Sequence, residues 1–166
     1  MKVIFLDIDG VLNAVDYQCS LHYLYRSKVH AGICEYPIPM GEVRDELGQY
    51  FDPRCINYLE AITNYTDAKL VISSTWRKSG IDFIKKLWAD RCLPGEIVGL
   101  TPVLNMKRGE EIAEYLRQHD YITNYCIIDD DVDMLLEQRL NFVNTNGLFG
   151  ITLQNAEEIV KILNGK

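Results

Sequence analysis

Val3-Ile4-Phe5-Leu6-Asp7-Ile8-Asp9-Gly10-Val11-Leu12 starts as an apolar run of strand type and ends on two carboxylates placed at i and i+2. In a strand those two side chains share a face. Like charges that close repel and lose hydration, an arrangement sustained chiefly by a cation or by chemistry that needs differently tuned acids. Gly10 lets the backbone turn sharply or come close to a ligand. A polar turn accounts for Asp9-Gly10 but leaves Asp7 unexplained.

A second run of the same kind, Tyr125-Cys126-Ile127-Ile128, discharges into Asp129-Asp130-Asp131, with Asp133 following. If the two strands are parallel neighbours, their carboxyl ends meet at one edge, where open α/β sheets place their ligands. Four or more acids converging there without basic partners call for a hard cation such as Mg²⁺. Asp131 and Asp133 also suit a solvated loop. Between these runs, Lys69-Leu70-Val71-Ile72-Ser73-Ser74-Thr75-Trp76-Arg77 is a third strand, ending in hydroxyls. A helix N-terminus after it, the hydroxyls of Ser73 and Ser74 and the guanidinium of Arg77 would make an anion cradle. Ser and Thr are equally ordinary N-cap residues. In Asn105-Met106-Lys107-Arg108-Gly109-Glu110-Glu111-Ile112, two cations precede a helix whose apolar positions Ile112, Ala113 and Leu116 recur at helical spacing. Cations there run against the helix dipole, which points to another partner for Lys107 or Arg108.

In this order, the Asp-x-Asp-Gly strand end, the Ser strand end, the pre-helical Lys or Arg and the Asp-Asp strand end resemble the four motifs of the haloacid dehalogenase (HAD) superfamily, from Met1 to about Leu148. Val71 to Arg77 and Ile127 to Asp131 further resemble a small HAD branch that includes domains attached to RNA-repair proteins. The resemblance implies a Rossmannoid three-layer α/β/α fold with a mainly parallel sheet and a short flap or minimal cap after the first strand. It implies a phosphatase in which Asp7 attacks phosphorus to give an aspartyl-phosphate, Asp9 serves as acid and then base, and Ser73 hydrogen-bonds the phosphoryl oxygens. Mg²⁺ would be held by Asp7, the backbone carbonyl of Asp9 and Asp130, with Asp129 beside it and Asp133 in support. Lys107 and Arg108 both sit near the basic position. Gly10, Ser74 and Arg77 are expected near the substrate, although Arg77 also reads as a surface salt bridge; Trp76 reads as a packing residue.

With 166 residues and 48% hydrophobic content, the chain can bury one core, so a single domain with an insert at about 13–50 is expected. The insert, with Tyr17, Tyr23, Tyr25, Tyr36 and Pro37-Ile38-Pro39, reads as irregular, and as either a substrate lid or an interface. After it come helices at about 53–62, 81–91, 109–118 and 154–163, and strands at 69–73, 96–100, 125–128 and 142–145. A net charge of −7, from 17 basic and 24 acidic residues, makes the chain a poor default binder of nucleic-acid backbones. A small phosphorylated substrate is therefore favoured over a nucleic-acid 3′ end, for which Tyr23, Tyr25, Arg26 and Lys28 would be the contacts. A metal-binding module without activity is a third reading. Five cysteines without a Cys-x-x-Cys pair read as reduced thiols, Cys126 as a core residue, and the three histidines show no metal-ligand spacing. No apolar run is long enough to span a bilayer, which leads to the expectation of a cytoplasmic protein.

Overall fold

The computed structural model describes residues 1–165. The elements follow in the order β1 (Lys2–Leu6), α1 (Val15–His30), a hairpin of β2 (Arg44–Asp45) and β3 (Gly48–Gln49), α2 (Pro53–Thr66), β4 (Lys69–Ile72), α3 (Ile81–Asp90), β5 (Ile97–Leu100), α4 (Arg108–Gln118), β6 (Asn124–Asp129), β7 (Phe142–Asn144) and α5 (Leu153–Asn164). The five longer-range strands form one sheet in the order β5-β4-β1-β6-β7, every pairing parallel.

Strands apolar on both faces need cover on both faces, and the helices supply it. Ile4, Leu6, Leu70, Ile72, Cys126 and Ile128 point into the larger core, filled by Leu59 and Ile62 of α2, Ile84 and Leu87 of α3 and Ile159 of α5. Val3, Phe5, Val71 and Ile127 point the other way, onto Ile112 and Tyr115 of α4. On that side Phe5 meets Tyr115 and Tyr125 edge to face, with ring centroids 5.6 and 5.8 Å apart. The result is an α/β/α sandwich whose central strand is buried from Val3 to Leu6.

Local signals set the helix ends. Asp52 caps α2 by accepting the Arg54 N–H at 2.8 Å, with Pro53 in the first turn, where its missing donor is not needed. That helix runs on to Thr66, four residues beyond the sequence expectation, and stops where Asp67 adopts a left-handed conformation, φ 55°. Thr152 and Asn155 form a reciprocal cap at the start of α5.

The insert is where sequence and structure part. Rather than an irregular flap, residues 13–50 hold the 16-residue helix α1 and the short hairpin. Only Gln18 and Tyr25 of α1 are buried, so it carries no apolar stripe to read. Its remaining signal is the absence of Gly and Pro from Val11 until Gly32. Arg91, just after α3, clamps the hairpin by pairing with Asp45 and donating to the carbonyls of Gly48 and Gln49. All five cysteines are free thiols, with Cys55 and Cys126 buried. Among the described residues, no helix is long and apolar enough to cross a membrane.

Candidate active site

Strand register builds the site. Leu6 stands level with Ile72 of β4 and Ile128 of β6, so the next residues, Ser73, Asp7 and Asp129, make one row across the carboxyl edge of the sheet. The ladder continues into that row: the Asp7 N–H donates to the Ile128 carbonyl and the Ser73 N–H to the Leu6 carbonyl, both at 3.0 Å. By strand alternation the three side chains belong to the face of Phe5, Val71 and Ile127, which α4 covers. Arg108, the first residue of α4, arrives over the row. Its Nη1 lies 2.8 Å from both Asp7 Oδ1 and Asp129 Oδ2. This is the partner that a cation at a helix N-terminus required, and it supplies the counter-charge that the sequence reading of the acidic cluster lacked.

Asp7, Asp129 and Asp130 each offer a carboxylate oxygen within 4.8 Å of the others, the first two buried and the third exposed. Two glycines make room for Asp130: a Cβ on Gly10, whose φ is +72°, would lie 2.2 Å from its Oδ2, and one on Gly147 would lie 2.6 Å from the same atom. Burial, then the charge of Asp7, pushes the Asp129 carboxyl up to about 7, with Arg108 opposing. Asp130 is raised for the same two reasons. Arg108 Nη1 faces Asp7 Oδ1 and Asp129 Oδ2 and neutralises part of this charge, while Ser73 Oγ is buried without a hydrogen-bond partner among the described residues. Three carboxylates converging on one arginine keep an excess of negative charge, and an all-oxygen donor set of that kind fits a hard divalent cation such as Mg²⁺.

Asp9 stands apart from this cluster. The strand ends at Leu6, and the N–H groups of Val11, Leu12 and Asn13 all turn back onto the Ile8 carbonyl. Asp9 therefore does not share a strand face with Asp7. Its Oδ1 accepts from Asn13 Nδ2 at 3.0 Å and its Oδ2 from Trp76 Nε1 at 2.9 Å. Asp7, Asp9, Arg108, Asp129 and Asp130 open into a cavity of about 600 Å³ whose outer wall includes Val15, Gln18, Cys19 and His22 of α1.

Residues 3–156 match the family described as the HAD domain in Swiss Army Knife RNA repair proteins. The chain belongs to this HAD family. No curated protein and no solved structure matches it significantly. The five-stranded parallel sheet between helices is the HAD-like Rossmannoid arrangement.

Within this HAD domain several residues land away from their expected places. Arg77 is not a surface salt bridge: it is buried, paired with Glu111, and donates to the carbonyls of Ser73 and Ser74. Burial pulls its guanidinium below the ordinary range, with Glu111 opposing. The Ser74 hydroxyl is also buried and accepts the Trp76 N–H, capping the 3-10 turn Thr75–Ser79. That turn separates the Ser73 strand end from α3, so the segment that follows the strand end is the start of the 3-10 turn and not of α3. Lys107 is exposed and outside the cluster, its N–H accepted by Glu110 at 3.0 Å. Asp133 caps α4 by accepting the Arg108 N–H at 3.0 Å. Tyr25 is buried, its hydroxyl on the Glu35 carbonyl, and Lys28 pairs with Glu42. Trp76 does pack, as expected, but it also touches the site through Asp9. Sequence reasoning missed Asn13, Glu111 and Gly147, whose partners lie far off in the chain or on an irregular loop; only Asn13, close behind Asp9, had a local cue.

Proposed function

We propose that this chain is a Mg²⁺-dependent phosphohydrolase that cleaves a phosphomonoester through an aspartyl-phosphate on Asp7. The row Ser73, Asp7, Asp129 beneath Arg108 carries this reading: a buried carboxylate of nucleophile type with a free hydroxyl on one side and a fixed cation above. Asp7, the Asp9 carbonyl and Asp130, with Asp129 beside them, would hold Mg²⁺. Bound there, the ion supplies Lewis-acid stabilisation of phosphoryl charge.

Asp7 forms a bond to phosphorus as the bond to the leaving oxygen breaks, and Asp9 delivers a proton to that oxygen. In the second half, Asp9 takes a proton from the water that attacks the aspartyl-phosphate, which releases phosphate and frees Asp7. Arg108 orients Asp7 and offsets negative charge as it builds on the phosphoryl group. Ser73 Oγ, which has no partner among the described residues, donates to a phosphoryl oxygen. The cavity has room for a small phosphorylated metabolite or nucleotide.

A nucleic-acid end is the second reading, favoured by the family's association with RNA repair. His22 lines the cavity, and the exposed Arg26 follows one turn further along α1. Phosphate release from sugar phosphates, nucleoside monophosphates and a 3′-phosphorylated oligonucleotide, with Mg²⁺ or with EDTA, tests both. Release that needs Mg²⁺ and is lost in Asp7→Asn is expected. Preference for the oligonucleotide would select the second reading; no Asp7-dependent release from any substrate would remove the hydrolase reading.

A further inference from the structure

The role given to Asp9 rests on the hydrolase reading above, and the structure adds a residue to it. Asp9 is exposed on a loop, yet both carboxylate oxygens are taken by protein donors, Asn13 Nδ2 and Trp76 Nε1. A loop carboxylate left to solvent samples several rotamers. A proton donor is useful only within hydrogen-bond reach of the atom it serves.

The indole that holds Asp9 is itself held. Trp76 follows the Ser73-Ser74 strand end and meets Phe51 edge-on, with centroids 5.7 Å apart. Gly48 of β3 lies against the ring so closely that a Cβ there would come within 2.8 Å of indole Cη2. Arg91 covers Phe51 at 5.0 Å while bonding the hairpin carbonyls of Gly48 and Gln49. Gln49 also reaches Asp9 by the other branch, since its Oε1 accepts from Asn13 Nδ2 at 2.8 Å. The hairpin thus fixes the ring, and the ring fixes one oxygen of Asp9.

We propose that Trp76 is a positioning residue: its indole N–H, seated on the β2–β3 hairpin, places Asp9 for proton transfer to the leaving oxygen. Trp76→Phe keeps an aromatic ring in the packing and deletes the donor. Protonation matters for an alkoxide leaving group and far less for nitrophenolate. The expected result is a kcat/KM on glycerol phosphate that falls at least about tenfold more than kcat/KM on p-nitrophenyl phosphate, because kcat/KM covers the steps up to departure of the leaving group and excludes the shared hydrolysis of the aspartyl-phosphate. Equal losses of kcat/KM on the two substrates, or none, overturn the proposal.

A second measurement does not depend on turnover. The chain has two tryptophans, and Trp88 Nε1 donates to the Pro94 carbonyl at 3.0 Å, so its indole signal serves as the internal reference. In a ¹H–¹⁵N spectrum Trp76→Phe identifies the Trp76 signal, and Asp9→Ala is expected to shift that signal while leaving Trp88 in place. Turnover with an unmoved indole signal overturns this proposal alone. Absence of turnover by the unaltered protein on every one of these substrates, the nucleotides and the 3′-phosphorylated oligonucleotide included, removes the hydrolase reading and this proposal with it.

Discussion

Glu111→Ala is the substitution whose cost the structure specifies most directly. The Glu111 and Arg77 side chains are each 5% exposed and paired with one another, so truncating one strands a buried charge. Removing one partner of such a pair costs about 3–5 kcal/mol. Glu111 Oε1 also accepts the Leu104 N–H at 2.8 Å, and losing that bond adds about 1 kcal/mol. The sum of about 4–6 kcal/mol corresponds to a fall in Tm of roughly 10–20 °C for a chain of this length. Urea unfolding at 25 °C, followed by circular dichroism, measures it at unchanged slope. Arg77→Met completes a double-mutant cycle. The single variant leaves Glu111 unpaired and the Ser73 and Ser74 carbonyls without their donor, whereas the double variant removes both charges of the pair. The double variant is therefore expected to be at least about 2 kcal/mol more stable than additivity allows. A Glu111→Ala cost below about 1 kcal/mol, or strict additivity, refutes the claim that this buried pair braces the Ser73 strand end.

Two further outcomes follow from the acidic cluster. The Asp129 carboxyl titrates near 7 in the folded chain against an ordinary 3.8, so between those values the folded state keeps a proton that the unfolded state has lost. Stability in chelator should decline as pH rises through that window and flatten above it, and the decline should shrink in Asp129→Asn; urea midpoints at pH 5 and 7.5 measure this. Gly10→Ala forces a Cβ onto the Asp130 carboxylate at a backbone angle that disfavours alanine, so Mg²⁺ affinity measured by calorimetry should fall at least about tenfold.

Much of the fold was legible because its signals are local. Apolar runs of four residues ending in polar ones, Asp52-Pro53 before a helix, and Ile112 to Leu116 at helical spacing each state an element within a few positions of itself. Helix α1 was not legible for the same reason in reverse. It roofs a polar cavity with Gln18, Cys19 and His22 instead of packing an apolar face, so it lacks the periodicity that marks a helix. Ser74 and Arg77 stayed open between two readings because a hydroxyl and a guanidinium after a strand read alike whether they face a ligand or brace the chain.

The sequence by itself determined the strand ends: given a parallel sheet with β4, β1 and β6 adjacent, Ser73, Asp7 and Asp129 arrive at one edge. It did not determine what stands around them. Lys107 is the extended residue before α4 and Arg108 the first residue within it, so their side chains leave the backbone in different directions, and the seating of α4 on Phe5 and Val71 decides that Arg108 faces the row. The pairing of Arg77 with Glu111 and of Trp76 with Asp9 joins residues 34 and 67 positions apart. Such contacts depend on how distant elements dock, a property of the packed chain that no local stretch of it encodes.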